Sequence, residues 1–224
     1  DVLNGTAYED SILGSGGNDT ITGGFGDDII DGGIGIDTVK FSASYSINTS
    51  SNYLIKSLNN GRWSVSYNGP LNTIYTPSSN DGLDTLMNIE RIKFTETSFA
   101  LDLSGNAGIT AKILGAIFGK DAVSNKNFVG IGLSFLDAGW SYDNLAALAL
   151  DAAGAKSNDQ IVSLLWANVI GVKPTAADMQ PFIALLENGM TAGALAHLAA
   201  DTSLNATNIN LVGLAQTGIE YLPV

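Results

Sequence analysis

Cysteine is absent from this chain of 224 residues, and histidine occurs once, as His197. The missing cysteines exclude disulfides, thiolate metal sites and cysteine nucleophiles. A single histidine excludes the common histidine-rich zinc sites and argues against histidine-based catalysis. Lysine and arginine number 10 against 22 acidic residues, so the net charge is -12 and no basic surface for nucleic acid is expected. No apolar run approaches the ~18 residues of a transmembrane helix.

The beginning of the chain and its motifs bear on what kind of protein it is. It starts at Asp1, without methionine or a signal peptide, which predicts a piece of a longer protein. With 45% hydrophobic and 14% charged residues, it has the composition of one or two folded domains. The motifs G-x-S-x-G, H-E-x-x-H and G-x-x-x-x-G-K-[ST] do not occur. We therefore expect no enzymatic activity.

Acidic residues and glycine are concentrated at the start of the chain. Residues 1–40 contain eight acidic residues, one basic residue and ten of the 26 glycines. Written in nines, this stretch reads GTAYEDSIL, GSGGNDTIT, GGFGDDIID and GGIGIDTVK, preceded by DVLN. Position 6 is always aspartate, position 8 a branched aliphatic, position 1 glycine, and position 4 glycine except at Tyr8. A flexible acidic linker would not keep such a register.

This pattern resembles the G-G-x-G-x-D-x-U-x calcium-binding nonapeptide repeats of RTX (hemolysin-type) proteins, which form a parallel β-roll. Glycines at tight turns permit a positive φ, and such turns direct carbonyl oxygens towards a Ca²⁺ ion. In that family two repeats make one coil, which implies that Asp10 pairs with Asp28 and Asp19 with Asp37, each pair bridging one ion. The same stacking pairs Asp1 with Asp19. The resemblance implies a block that is disordered without calcium and folded with it.

The resemblance therefore gives a set of expected calcium ligands. Side chains at position 6 and backbone carbonyls at the glycine-rich turns make up that set: Asp1, Gly5, Ala7, Asp10, Gly14, Gly16, Gly17, Asp19, Gly23, Phe25, Gly26, Asp28, Gly32, Ile34, Gly35 and Asp37. Residues at position 5, which are Glu9, Asn18 and Asp27, more often face solvent, and their ligation stays open.

Residues 41–104 are expected to form a β-strand cap on the roll. Residues 63–67 alternate between apolar and polar, as in a half-buried strand, and 53–58 is its partner across a turn at 59–61. Two further strands are predicted at 41–47 and 72–76, and Asn68-Gly69-Pro70 is expected to end the second strand. Residues 80–94 resemble the D-G-x-D-x-L-x-N-I-E segment that closes RTX rolls. Asp84 either caps the last calcium site or lies in a plain turn before an apolar strand.

Residues 105–224 change to a helical period that is rich in alanine and leucine. Helices are predicted near 108–118, 125–137, 142–152, 158–170, 176–187, 191–199 and 206–219. Residues 135–151 align with 185–201 at an offset of 50, and 113–119 align upstream at an offset of 52, which predicts three helices repeated twice. The segment resembles a helical domain of unknown function that often follows RTX repeats.

Other candidate sites are weaker. His197 lies in an alanine- and leucine-rich helix, where a structural or surface role is expected. Residues 102–106 begin like an EF-hand loop, but the glycine and the terminal glutamate are missing at the required spacings. Trp63, Trp140 and Trp166 could stack on sugars, although core packing is the more common role.

Together these patterns predict an α+β multi-domain protein. Its N-terminal parallel β-roll spans 1–40, the β cap 41–104, and the all-α domain, built from an internal repeat, 105–224. Glu220 and the apolar residues after it resemble an uncleaved type I secretion signal. We expect a non-catalytic, calcium-binding C-terminal region of a larger protein, exported by a type I transporter and secreted or held at the surface of a Gram-negative-type bacterium. The alternative is an adhesion or S-layer module that binds a cell-surface glycan or protein.

Overall fold

The computed structural model describes residues 1–41, 53–67 and 81–224. Within these residues the chain is a mixed α/β protein with eight helices and two sheets. It divides into two compact units, one formed by residues 1–102 with 215–222 and the other by 103–214 with 223–224. The predicted domain boundaries at 40/41 and 104/105 stay predictions. No helix in the described part of the chain is both long and apolar enough to cross a bilayer.

Each nonapeptide contributes one strand of three residues. The strands are β1 Val2–Asn4, β2 Ser11–Leu13, β3 Thr20–Thr22, β4 Ile29–Asp31 and β5 Thr38–Lys40. Alternate strands pair in parallel, β1 with β3 and β5 in one sheet and β2 with β4 in the other. Val2 pairs with Thr20, and Ser11 with Ile29, so equivalent positions lie two repeats apart. This register is the one that the nine-residue period predicts.

Later strands extend both sheets. β8 Leu83–Met87 pairs in parallel with β4, and β9 Arg91–Lys93 pairs in parallel with β5. The hairpin of β6 Tyr53–Ser57 and β7 Trp63–Tyr67 then adds antiparallel to β8. On the other sheet, β10 Ser98–Ala100 and β11 Ile219–Tyr221 add antiparallel to β9. Two antiparallel pairs therefore cover the ends of the parallel stacks, as edge protection requires.

The strand predictions for 53–58 and 63–67 correspond to β6 and β7, and residues 59–61 form a short 3-10 turn between them. The prediction of one helix over 206–219 is wrong. Residues 203–208 and 211–217 are separate helices, and the chain then continues as β11. Ile219 is buried in this strand, which explains the apolar pattern that sequence reasoning assigned to a helix. The strands predicted at 41–47 and 72–76, and the turn at 68–70, fall outside the described residues except for Phe41.

The core of the first unit lies between the two sheets. Position 8 of each repeat, and the equivalent positions of β8 and β9, point into it without measurable exposure: Ile21, Ile30, Val39, Leu86 and Ile92. An aromatic group formed by Phe41, Tyr53, Phe94 and Phe99 continues this core. One aliphatic side chain per three-residue strand makes a thin core, so apolar burial by itself stabilises each repeat only slightly.

The second unit repeats a group of three helices. The helices are α1 Asn106–Phe118, α2 Lys126–Asp137, α3 Tyr142–Ala152, α4 Asn158–Ile170, α5 Ala176–Glu187, α6 Ala192–Ala200, α7 Ser203–Asn208 and α8 Leu211–Thr217, the last of which runs on into residues of the first unit. α1 and α4 are offset by 52 residues, while α2/α5 and α3/α6 begin 50 residues apart. Ser157 and Thr175 form capping boxes, as their spacing predicts.

Candidate calcium site

The position-6 aspartates form two columns of carboxylates, one at the start of each set of parallel strands. In one column the backbone N–H of Asp10 donates to Asp28 Oδ1 at 2.9 Å. The N–H of Asp28 donates in turn to Asp84 Oδ1 at 3.0 Å. Each carboxylate therefore receives a backbone hydrogen bond from the rung stacked on it. Asp10 and Asp28 are brought together as predicted, and Asp84 is the next rung of the same column.

The second column has the same pattern. The N–H of Asp19 donates to Asp37 Oδ1 at 2.8 Å, and the N–H of Asp37 donates to Glu90 Oε2 at 2.9 Å. At the other end, the α-amino group of Asp1 lies 2.6 Å from Asp19 Oδ1. Asp1 thus approaches Asp19 through its amino group.

The second oxygen of the buried aspartates has no partner. Asp19, Asp28 and Asp37 are at most 2% exposed. Their Oδ2 atoms are buried and accept no hydrogen bond from any described residue. Burying an unpaired carboxylate oxygen is costly unless a cation or donor lies against it. Because no three Asp, Glu or His side chains in the described ranges converge on one metal-sized position, backbone carbonyls must complete any site. The donor set is thus the hard oxygen set that Ca²⁺ takes.

Glycine at position 1 leaves room for these oxygens. A Cβ built on Gly14 would lie 2.6 Å from Asp19 Oδ2 and 2.4 Å from the carbonyl oxygen of Gly32. A Cβ built on Gly23 would lie 2.2 Å from Asp28 Oδ2. These glycines do not have a positive φ. The expectation that all the repeat glycines serve left-handed turns is therefore wrong at position 1, where close stacking of successive coils requires glycine.

Positive φ values occur at positions 2 and 4. At position 4 the values are +104° for Gly17, +110° for Gly26 and +154° for Gly35. Ser15, at position 2, has a φ of +76° although it carries a side chain. The turn between strands therefore has two left-handed residues in the regular repeats, which only glycine adopts without strain.

A comparison with known families identifies this block. A family model described as the RTX calcium-binding nonapeptide repeat matches residues 4–39. Residues 4–39 are RTX calcium-binding nonapeptide repeats. RTX repeats of this type bind calcium ions, which agrees with the buried, unpartnered aspartate oxygens.

Other comparisons reach less far. Among curated proteins none matches the chain. Among solved structures, the extracellular lipase LipA from Serratia marcescens is similar, with 16% identity and a TM-score of 0.24. The match covers 47% of this chain and 18% of the lipase.

The first RTX repeat differs from the others. Thr6 donates to Asp10 Oδ2 from its backbone N–H at 2.6 Å and from its hydroxyl at 2.8 Å. Tyr8, the residue at position 4, does not lie in the left-handed region. The expected backbone strain at Tyr8 is therefore wrong. Asp10 differs from Asp19 because its second oxygen is already satisfied by Thr6.

The predicted carbonyl ligands lie at the turns between strands. Gly16 and Ile34 pair as an isolated parallel bridge, and the Ile34 carbonyl accepts a hydrogen bond from the N–H of Gly17 at 2.9 Å. The N–H of Phe25 donates to the Thr6 carbonyl at 3.2 Å. The turns therefore stack on one another as the strands do. The other carbonyl positions stack in the same register: Gly5, Ala7, Gly23, Gly26, Gly32 and Gly35.

Sequence reasoning missed Glu90. Gly82, Asp84 and Leu86 keep the 4-6-8 spacing of a nonapeptide, and Asn88, Glu90 and Ile92 repeat that spacing six residues later. Asn88 has a φ of +50°, as the position-4 glycines have positive φ. Glu90 then takes the position-6 place in the Asp37 column. A search for the 4-6-8 spacing, without requiring a nine-residue period, would have found it.

Position-5 residues stabilise the stack through backbone contacts. Asn18 Oδ1 accepts the N–H of Ile36 at 2.9 Å. Asp27 Oδ1 accepts the N–H of Leu83 at 2.8 Å. Both residues therefore link neighbouring coils through one side-chain oxygen.

Burial makes the columns electrostatically unfavourable when they hold only protons. It raises the pKa of Asp28 and of Asp37, and each pKa is raised further by the neighbouring carboxylate of its column. Burial likewise raises the pKa of Glu90, and it raises the pKa of Asp84 from 3.8 to about 8. A cation placed in the columns would favour the ionised forms.

The remaining candidate residues have other contacts. Asp102, at the start of the EF-hand-like stretch, pairs with the buried Arg91 at 2.5 Å. His197 stacks on Tyr142 and lies 2.7 Å from Asp143 Oδ1, in a partly exposed polar group. Both residues have structural partners that account for their positions.

Proposed function

We propose that the RTX repeats form a parallel β-roll that holds calcium ions between successive coils. The observation that carries this proposal is the row of buried aspartate oxygens without partners, Oδ2 of Asp19, Asp28 and Asp37. Position-6 carboxylates and turn carbonyls would be the ligands, with Asp84 and Glu90 as the last rungs. The parallel pairing with an 18-residue register supports the roll.

Calcium binding in such a site is coupled to folding. Without a cation, folding buries carboxylates in columns, and the thin core of one aliphatic per repeat offsets little of the ordering entropy of about 1–2 kcal/mol per residue. With calcium the same carboxylates become ligands, and their burial is favourable. The block is therefore a calcium-dependent folding unit without a catalytic role.

Secretion through a type I transporter is the setting in which this coupling is useful. A calcium-poor cytoplasm leaves the acidic block unfolded, and calcium outside the cell folds it. The tail that resembles an export signal is also β11, which pairs with β10, and Thr97 donates to Glu220 Oε1 at 2.8 Å. The tail would thus serve export while unfolded and close the first sheet after folding.

The alternative, a carbohydrate- or surface-binding module, needs aromatic rings facing solvent. Trp63 is buried, and Trp166 packs edge-on against Phe182. Trp140 is 42% exposed but stacks on Phe135. The aromatic residues thus give this alternative less support than the carboxylate columns give calcium binding.

Calorimetric calcium titration of the full chain tests the calcium proposal. Asp28→Asn keeps an oxygen for the N–H of Asp10 but removes the charge, so we expect calcium affinity to fall at least tenfold. Asp121→Asn, in an exposed turn of the helical unit, removes the same charge and is the matched control. Equal affinities for both variants would contradict the proposed site.

The export proposal needs a test that separates signalling from stability. Truncation after residue 213 removes the tail, whereas Ile219→Ser keeps it but weakens β11, because Ile219 is 2% exposed. We expect the truncated chain to stay in cells with a matching transporter, and Ile219→Ser to be secreted at normal levels. Similar secretion losses in both would show that the tail acts through stability alone.

A further inference from the structure

The two helical repeats each enclose an apolar cavity at the same place. One lies between α1, α2 and α3, and the other between α4, α5 and α6, bounded also by Thr202. Equivalent residues line both: Leu145 in the first cavity corresponds to Leu195 in the second, and Leu148 to Leu198. The cavities are therefore a duplicated feature of the fold, which permits a comparison within one chain.

Their volumes differ, and one position accounts for the difference. The first cavity measures about 320 Å³ and the second about 130 Å³. Gly132 in α2 lines the first, while Phe182, at the equivalent position of α5, lines the second. A phenylalanine ring thus occupies in the second repeat the space that glycine leaves open in the first. Only the first cavity reaches the ~300 Å³ of a small-molecule site.

The larger cavity also contains a buried hydroxyl. Thr110 in α1 lines it, is 1% exposed, and its Oγ1 has no hydrogen-bond partner among the described residues. The equivalent residue in the second repeat is Val162, the isosteric apolar choice. The side chain of Thr110 faces Gly132, because a Cβ built on that glycine would lie 3.2 Å from Oγ1. An unpaired buried hydroxyl costs about 1–3 kcal/mol, so its presence here calls for a partner.

We propose that the cavity between α1, α2 and α3 binds an aliphatic chain that carries one uncharged oxygen, a hydroxyl or carbonyl, which pairs with Thr110 Oγ1. The rest of the described lining is almost wholly apolar and carries no charged side chain. At ~30 Å³ per water-sized group, 320 Å³ accommodates roughly ten heavy atoms. An alcohol of about eight carbons therefore matches both the volume and the single polar group.

The probe is 1-octanol, titrated into the full calcium-loaded chain and followed by backbone amide NMR shifts. We expect saturable shifts in α1, α2 and α3, and affinity that rises about fourfold per methylene from 1-hexanol to 1-octanol. Octanoate should bind more weakly, because the cavity offers its charge no partner. Absence of saturable shifts, or shifts confined to α4, α5 and α6, would overturn the proposal and indicate a cavity that holds only water.

Variants separate the hydroxyl from the cavity. Thr110→Val reproduces the second repeat at this position, so we expect octanol affinity to fall about three- to tenfold while the melting temperature stays equal or rises. Thr110→Ser should restore affinity, and Val162→Thr, the matched control, should leave it unchanged. If Thr110→Val binds octanol as well as the unmodified chain, the hydroxyl does not recognise the ligand and the proposal is wrong.

Discussion

Close stacking at position 1 makes one glycine of the second repeat far more sensitive to substitution than its neighbours. In Gly14→Ala the new methyl group would lie 2.4 Å from the carbonyl oxygen of Gly32 and 2.6 Å from Asp19 Oδ2. Neither atom can move freely, because the N–H of Gly14 is bonded to the carbonyl of Asp31 at 2.8 Å. We expect a loss of about 1–3 kcal/mol, the usual cost of overpacking.

Two neighbouring glycines provide matched controls for that loss. A Cβ on Gly16 meets nothing closer than 3.8 Å, and its φ is not positive, so Gly16→Ala should be neutral or slightly stabilising. A Cβ on Gly17 has open space, but the φ of +104° makes alanine cost about 1 kcal/mol through backbone strain. The three substitutions therefore separate contact, conformation and neither.

Calorimetric calcium titration and thermal unfolding of the full chain would measure the series. Because binding is coupled to folding, a loss of about 1–3 kcal/mol weakens apparent calcium affinity by about 5- to 150-fold. We expect Gly14→Ala to be worst, Gly17→Ala intermediate and Gly16→Ala equal to the unmodified chain. Should Gly14→Ala and Gly16→Ala behave alike, the close stacking of coils described for position 1 would be refuted.

Three further predictions follow from burial and hydrogen bonding. Because burial raises the folded-state pKa of Asp84 from 3.8 to about 8, the folded roll binds more protons than the unfolded chain, and thermal unfolding in chelator should show stability falling as pH rises through that window; a rise would contradict it. Ile30→Ala should cost about 2–5 kcal/mol in calcium, while the half-exposed neighbour Ile29→Ala should cost far less on the same unfolding curve. Asp19→Asn should weaken calcium binding more than Asp10→Asn, since Thr6 already satisfies Asp10; calorimetry showing equal losses would remove that distinction.

Local sequence patterns predicted most of the secondary structure. In the roll, a period of nine with aspartate at position 6 and an aliphatic at position 8 sets both the strand length and the 18-residue register. In the helical unit, Ser157 and Thr175 mark helix starts through side-chain contacts with residues three positions later, which are local in sequence. Such features depend on neighbours along the chain, so they can be read without knowing the fold.

Contacts between distant residues were decided by the tertiary structure. Glu90 lies 53 residues from Asp37 and joins its column only because β9 pairs with β5. Ile219 looked helical by composition, and its pairing with Ala100 across the sheet makes it a strand.

Glycine shows the same division within a single repeat. The sequence by itself required small residues at positions 1 and 4, since both are glycine in every regular repeat from 14 to 40. Only the stacked coils distinguish their reasons: Gly17 adopts a φ that other residues resist, whereas Gly14 faces the carbonyl of Gly32 from the coil beside it. The first reason is a property of the residue's own backbone. The second exists only once two segments 18 residues apart lie against each other.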